Sequence, residues 1–115
     1  MGVVIYHNPR CSKSRETLEL IRSRGVEPTV VEYLKNPPSA KELKGLLAQL
    51  GMKPCDLMRK KEARYKDLGL DSERLSDDAL IKAMVENPVL IERPIVVKGG
   101  KAALGRPPEA VLKIL

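Results

Sequence analysis

The hydrophobic pattern at the start of the chain predicts a strand, a helix and a second strand. Residues 3–6 form a continuous apolar run that ends before a turn, which is typical of a strand covered on both faces. Residues 12–24 carry apolar positions at helical spacing, and Gly25 is suited to end the helix. The β-branched run at residues 29–33 predicts the second strand. Together these segments form a βαβ unit.

The middle of the chain carries helical patterns with clear start signals. Ser39 and Glu42 have the spacing of a capping box, and the leucines that follow predict a helix up to residue 50. Ser76 predicts the start of another helix, which ends near Pro88. Between these two helices the sequence predicts a short helix and one further turn, at residues 54–61 and 65–70.

The last third of the chain predicts a hairpin and a terminal helix. Residues 95–97 and 102–104 are apolar runs separated by a tight glycine turn, and a helix follows Pro108. The predicted order is β-α-β, then several helices, then β-β-α. We therefore expect an α/β fold with a four-stranded mixed sheet and a helical insertion between its two halves. We expect residues 1–115 to form a single domain.

Composition and charge narrow the possible functions. The chain has no Trp or Phe and only three Tyr, so stacking on nucleobases is disfavoured. The net charge of +6 suits an anionic small substrate, an acidic protein partner or nucleic acid. The basic residues are scattered among fifteen acidic ones, which makes nucleic acid the weakest of these options. No apolar stretch approaches membrane-spanning length, so we expect a cytoplasmic protein with no membrane association.

Cys11 is the candidate nucleophile because it directly precedes the first predicted helix. Unpaired backbone N–H groups and the positive end of the helix dipole favour a thiolate there, and the neighbouring cations Arg10, Lys13 and Arg15 add to this effect. The alternative is an inert buried cysteine, and this is the role we expect for Cys55. With two cysteines and one histidine, the chain has too few ligands for a zinc site, and no metal is expected.

Five motifs together resemble the glutaredoxin-coupled arsenate reductases, which have a thioredoxin-like fold and are related to the Spx-type regulators. The motifs run in order through essentially the whole chain, at residues 7–15, 33–38, 57–60, 90–97 and 105–107. Such a set is far more specific than any single motif. The resemblance implies a thioredoxin-like α/β fold with the reactive cysteine at the start of its first helix.

The resemblance also implies a reaction that would confer arsenical resistance. Cys11 attacks arsenate to form a thiol-arsenate ester, while Arg59, Arg93 and Arg106 hold the oxyanion. Glutathione is a co-substrate, glutaredoxin is the partner that completes the reduction to arsenite, and no bound cofactor is implied. Guanidinium groups suit this task because they stay charged and donate hydrogen bonds as planar forks. We expect a monomer, since the assigned core leaves no exposed apolar stripe.

Pro94 has a predicted role of its own. Thioredoxin-like folds place a cis-proline opposite the active cysteine, so the resemblance implies a cis peptide bond between Arg93 and Pro94. Few bonds before proline in folded proteins, about 5 to 6%, are cis. A cis bond here would direct Arg93 toward Cys11.

Four residues near the cysteine are candidate supporting residues. His7 either lowers the pKa of the thiol as a nearby cation or forms a hydrogen bond at the end of the strand. Ser14 either donates to the thiolate or caps the helix. Asn8 is expected to shape the turn, and Arg15 is assigned a supporting role.

Two alternative functions remain open. Residues 11–14 lack the second cysteine of a Cys-x-x-Cys motif, which disfavours a self-contained dithiol oxidoreductase. One alternative is a non-catalytic regulatory adaptor related to the Spx-type proteins. The other is a glutathione-linked thiol reductase that acts on a different substrate. The three arginines beside a single reactive cysteine favour the arsenate reductase, because an adaptor has no evident need for an oxyanion site.

Overall fold

A computed structural model describes residues 2–72 and 74–115. The chain divides into two compact units, one formed by the chain up to Asn36 and from Arg93 onward, the other by Pro37–Glu92. The first unit contains four strands, one α-helix and a terminal 3₁₀ helix: β1 Val3–His7, α1 Ser12–Ser23, β2 Thr29–Glu32, β3 Ile95–Lys98, β4 Lys101–Leu104 and the 3₁₀ helix Pro108–Lys113.

The four strands form one mixed sheet with the order β2-β1-β3-β4. Strand β1 runs parallel to β2 and antiparallel to β3, and β3 pairs with β4 as an antiparallel hairpin. In this register Ile5 lies between Val30 of β2 and Val96 of β3. The predicted α/β architecture, a four-stranded mixed sheet built from β-α-β and β-β-α halves, is confirmed.

Aliphatic residues form the core of the first unit, as the lack of Trp and Phe requires. Along β1, Val3, Ile5 and His7 are buried while Val4 and Tyr6 are half-buried, so both faces of the strand are covered but unequally. The buried core cluster brings together residues from β1, α1, β3 and the terminal 3₁₀ helix, namely Val3, Ile5, Ile21, Val96 and Val111.

Helix α1 ends where the sequence predicts. Its last residues pass into Gly25, which has a φ of 77° and donates its N–H to the carbonyl of Arg22 at 2.9 Å. The left-handed conformation favours glycine because a side chain would be strained there. This turn leads the chain back toward β2.

The second unit is helical, with α2 Ala40–Leu50, α3 Ala63–Asp67 and α4 Asp77–Glu86, and with 3₁₀ segments at Pro54–Leu57 and Pro88–Leu90. The predicted capping box is present at the start of α2. The Ser39 hydroxyl accepts from the Glu42 N–H at 3.1 Å, and the Glu42 carboxylate accepts from the Ser39 N–H at 3.2 Å. The Ser76 hydroxyl caps α4 by accepting from the Ala79 N–H at 3.2 Å.

The short helix predicted at residues 54–61 is wrong beyond Leu57. The backbone turns extended at Met58 and forms a bridge with Ile91, flanked by hydrogen bonds from the Arg59 N–H to the Leu90 carbonyl and from the Glu92 N–H to the Leu57 carbonyl, both at 2.7 Å. This pairing across some thirty residues of sequence takes the backbone groups that a longer helix would need.

Two further boundaries differ from prediction. The turn expected at residues 65–70 is the short helix α3, which begins earlier, at Ala63. The terminal helix has 3₁₀ geometry over Pro108–Lys113 and packs against α1 and β4. Within residues 2–72 and 74–115, no helix has the length and hydropathy needed to cross a membrane.

Candidate active site

The loop between β1 and α1 is held by backbone hydrogen bonds around Asn8. The Cys11 N–H donates to the Asn8 carbonyl at 3.0 Å, and the Arg10 N–H donates to the Asn8 side-chain oxygen at 3.0 Å. The Arg15 guanidinium reaches back from α1 and donates to the Pro9 carbonyl at 2.9 Å. Asn8 therefore shapes the turn as expected of an Asx residue, and Arg15 ties the loop to the helix.

Cys11 occupies the N-cap position of α1 and is half-buried. Burial raises the pKa of its thiol, but four effects outweigh it: the Ser14 N–H, the charge of Arg93, the Lys13 N–H and a hydrogen bond from the Arg93 side chain. The net result is a lowered pKa. The amides act on the sulfur although Cys11 makes no regular side-chain cap. A lowered pKa favours the thiolate, which is the nucleophilic form of cysteine.

The strongest charge acting on the thiol is not one of the neighbouring cations that the sequence indicates. It comes from Arg93, which precedes β3 and is distant in sequence. The Lys13 ammonium instead lies 3.3 Å from the Glu16 carboxylate, and Lys13 acts on the sulfur through its backbone N–H. The expectation that the nearby cations favour the thiolate is replaced by a different charge: Arg93 lowers the pKa of the thiol, and Lys13 contributes through its backbone N–H.

The cis bond predicted before Pro94 and the approach of Arg93 to Cys11 are confirmed, while the oxyanion role of Arg93 stays a prediction. The Arg93–Pro94 peptide bond is cis, and the half-buried Arg93 donates a hydrogen bond to Cys11. A second cis bond, which the sequence did not predict, joins Arg106 to Pro107. Arg106 itself is exposed and follows β4 in the same unit.

His7 reaches the site through Ser14. Its Nδ1 lies 2.6 Å from the Ser14 hydroxyl, and that hydroxyl also accepts the Asn8 N–H at 3.0 Å. The Ser14 side chain is therefore engaged with the end of β1, while the Ser14 backbone N–H faces the thiolate. Of the two roles predicted for Ser14, donation to the thiolate fits the structure through its backbone N–H, while its hydroxyl binds His7 and the Asn8 N–H.

The charge state of His7 follows from its surroundings. Burial lowers the pKa of the imidazole, the Glu32 carboxylate raises it, and the Arg22 and Arg15 charges lower it, with a net decrease. The lowered pKa favours the neutral imidazole and so disfavours the role of a cation acting on the thiol. Of the two roles that the sequence offered, hydrogen bonding at the end of the strand fits the structure.

Arg59 lies in the second unit. It follows the bridge at Met58, and its guanidinium pairs with the Glu62 carboxylate at 2.9 Å and donates to the Val89 carbonyl at 3.4 Å. Arg93 is one of the three arginines of the predicted oxyanion site, and its side chain hydrogen-bonds to Cys11. The oxyanion roles of Arg59 and Arg106 stay predictions.

A surface groove runs beside the start of α1. Its walls include Ser12, Lys13 and Arg15 on the helix, and Pro107 and Pro108 after the second cis bond. The groove is open to solvent and continues along α1 as far as Ser23.

The sequence analysis missed two buried residues next to these elements, Thr17 and Gly105. Thr17 is fully buried on α1 and donates its hydroxyl to the Lys13 carbonyl at 2.7 Å. Gly105 is buried directly before Arg106. The available signals were the three-residue spacing from Ser14 to Thr17 on one helix face and the glycine inside the last motif.

Cys55 shows no feature of a second reactive thiol. It is half-buried in the 3₁₀ segment of the second unit, and its sulfur lies 3.8 Å from the Asp56 carboxylate. In the part of the chain that the structure describes, no three His, Cys, Asp or Glu side chains are grouped as a metal site.

Comparison with known proteins places this geometry in a family. The sequence pattern of the ArsC family matches residues 6–114. An arsenate reductase of Haemophilus influenzae is 50% identical over 116 residues, covering 100% of both chains. The uncharacterized protein YfgD of Escherichia coli is 60% identical over 114 residues, covering 98% of this chain and 96% of that protein. The solved structure of an arsenate reductase from Vibrio cholerae has a TM-score of 0.98 at 59% identity, covering 100% of this chain and 98% of that one. The predicted resemblance is confirmed, and the chain belongs to the ArsC family.

Proposed function

We propose that this protein reduces arsenate to arsenite with Cys11 as its nucleophile. The observation that carries the proposal is the position of Cys11, where two backbone amides and Arg93 lower the pKa of the thiol. Relatives named arsenate reductase are about 50% identical over the full length of this chain, which supports the same substrate.

The first step is attack of the Cys11 thiolate on arsenic. A sulfur–arsenic bond forms, and one arsenate oxygen leaves as water after protonation. Arg93 already hydrogen-bonds to the sulfur, so an oxyanion bound to that sulfur would meet the same guanidinium. The amides at the start of α1 add donors for negative charge. Arg59 and Arg106 are proposed to complete the set of donors, as the resemblance implies.

The reducing steps require two thiols from outside the chain, since residues 11–14 contain a single cysteine. We propose that glutathione displaces a second oxygen as water and gives a Cys11–arsenic–glutathione adduct. The glutaredoxin thiolate then attacks the glutathione sulfur. A mixed disulfide between glutathione and glutaredoxin forms, two electrons pass to arsenic, and hydrolysis releases arsenite and restores the Cys11 thiol.

The test is arsenate-dependent oxidation of NADPH in the presence of glutathione, glutathione reductase and glutaredoxin. We expect turnover by the native protein, loss of turnover in Cys11→Ser, and near-native turnover in the matched control Cys55→Ser. Omitting glutaredoxin alone should abolish turnover. Loss of activity in Cys55→Ser, or turnover that persists in Cys11→Ser, would contradict the proposed chemistry.

The same experiment separates the two alternative functions. If arsenate gives no turnover although Cys11 alkylates rapidly at neutral pH, the nucleophile stands and the substrate is a different one, as for another glutathione-linked thiol reductase. If Cys11 also alkylates slowly, the regulatory adaptor is favoured.

A further inference from the structure

Gly105 occupies a position at which there is no space for a side chain. A Cβ atom built on it would lie 2.8 Å from the Pro94 ring and 2.9 Å from the Thr17 methyl, and still closer to the Thr17 hydroxyl. Its φ is not in the left-handed region, since the positive-φ glycines are Gly25, Gly51, Gly69 and Gly99. The need for glycine at this position is therefore spatial, not conformational.

Gly105 contacts both segments that form the site: the Arg93–Pro94 segment, and helix α1, which directly follows Cys11. Its N–H donates to the Pro94 carbonyl at 2.9 Å, next to Arg93. Its carbonyl lies 3.4 Å from the Thr17 hydroxyl, which donates to the Lys13 carbonyl at 2.7 Å in the first turn of α1. Thr17 and Pro94 are both fully buried, so neither side can yield by rotating into solvent.

We propose that Gly105 is a positioning residue for Cys11: by lacking a side chain, it lets the Arg93–Pro94 segment close against α1 so that the Arg93 guanidinium reaches the sulfur. The same close approach sets the start of the segment that carries Arg106. The part of this proposal that concerns arsenate turnover rests on the function proposed above, whereas the geometry at the thiol does not.

A methyl group at residue 105 would force the neighbouring atoms apart. The atoms it meets belong to the short, β-branched and fully buried side chain of Thr17 and to a proline ring, not to the end of a long flexible chain. Because Arg93 directly precedes Pro94, a shift of the proline moves the arginine relative to Cys11. A misplacement of about 1 Å at a catalytic site can lower the rate by about a hundredfold.

The first experiment measures alkylation of Cys11 by iodoacetamide as a function of pH. All variants carry Cys55→Ser so that Cys11 is the only thiol. We expect Gly105→Ala to move the profile to higher pH and to slow alkylation at neutral pH. The matched control is Gly100→Ala, because Gly100 lies in the β3–β4 turn with no atom within 4 Å of its added Cβ. We expect the control to keep the parent profile.

A second substitution tests whether the crowding itself is the cause. Thr17→Ala removes the two Thr17 atoms that a Cβ at residue 105 would meet. The double variant Thr17→Ala with Gly105→Ala should therefore recover part of the alkylation rate that Gly105→Ala loses. A merely destabilised protein would not recover in this way, because Thr17→Ala removes a further buried hydrogen bond.

The last measurement is the steady-state kinetics of arsenate reduction. Gly105→Ala should lower kcat/KM for arsenate by about tenfold to a hundredfold, with Gly100→Ala unchanged. An unchanged alkylation profile in Gly105→Ala would overturn the proposal, and so would a loss of activity that matches the unfolded fraction seen in thermal unfolding. If the parent protein turns over no arsenate, the proposed function fails, but the alkylation profiles still decide the role of Gly105.

Discussion

At the scale of single residues, the reactivity of Cys11 comes from groups at two distances along the chain. The Ser14 and Lys13 amides belong to helix α1, which directly follows Cys11. Arg93 follows the helical insertion in the sequence and precedes β3. Ser14 makes two contacts here. Its hydroxyl hydrogen-bonds to His7 at the end of β1, and its backbone N–H faces the sulfur. The local amides are available in any helix start, so Arg93 is what distinguishes this thiol.

Replacing Arg93 by glutamine tests this distinction. Without the positive charge, we expect the pKa of Cys11 to rise and its alkylation at neutral pH to slow. We also expect kcat/KM for arsenate to fall by about a hundredfold to a thousandfold, as when one oxyanion donor is lost. The control is Lys13→Gln, which removes a nearby charge but keeps the backbone N–H. An equal change in both variants would show that local charge, not Arg93, controls the thiol.

At the scale of elements, α1 and α2 begin in different ways. The start of α1 serves the proposed chemistry at Cys11, whereas the start of α2 stabilises the helix. Helix α2 starts with a complete capping box at Ser39 and Glu42. Helix α1 starts at Cys11, which makes no regular cap, so the amides of its first turn remain directed at the sulfur. An uncapped helix start is a binding site for negative charge, whereas a capped one only stabilises the helix.

The cap of α2 can be tested by unfolding in urea. Removing the hydroxyl in Ser39→Ala should lower the free energy of unfolding by about 1 kcal/mol, because the Glu42 N–H loses its acceptor. Ser39→Asp offers a carboxylate in the same place and should retain most of the stability. A stability loss in Ser39→Asp as large as that in Ser39→Ala would contradict the capping role. Neither substitution should change the alkylation of Cys11.

At the scale of the molecule, each unit assembles around its own apolar residues. In the first unit, β1 and β3 lie at the centre of the sheet, and the ends of the chain meet there in space. His7 is the last residue of β1 and lies at the edge of this core. It has a relative exposure of 6% and is hydrogen-bonded to Ser14. Because the folded state lowers the pKa of His7, protonating the imidazole works against folding.

The pH dependence of unfolding follows from that burial. Since the folded state lowers the pKa of His7, the unfolded chain binds more protons below about pH 6.5, and stability should fall as the pH falls through that region. Cys11 titrates with the same sign, so the measurement uses Cys11→Ser. In that background, His7→Gln should flatten the dependence between about pH 5 and 7, where carboxylates contribute little. An unchanged slope would mean that His7 is not its source.

The family resemblance indicated that Arg93 approaches Cys11, and this approach is present in the structure, while the catalytic roles of both residues stay predictions. Several local predictions are confirmed, such as the capping box at Ser39 and the helix end at Gly25. The helix predicted through residue 61 failed because Met58 pairs with Ile91, a partner that no local pattern indicates. Likewise, Arg10 and Arg15 lie near Cys11 in the sequence, yet the charge that acts on it most comes from Arg93.

The sequence by itself determined the strands, the main helices, their caps and the position of the thiol at the start of α1. These features depend on residues within about four positions of each other, so a local pattern is enough to specify them. The local pattern did not specify that Arg93 supplies the charge at the thiol, which the family resemblance alone implied, and only the tertiary structure decided why Gly105 has no side chain. Both depend on contacts across some eighty residues, from Cys11 to Arg93 and from Thr17 to Gly105, and such contacts exist only once the sheet has brought the two ends of the chain together.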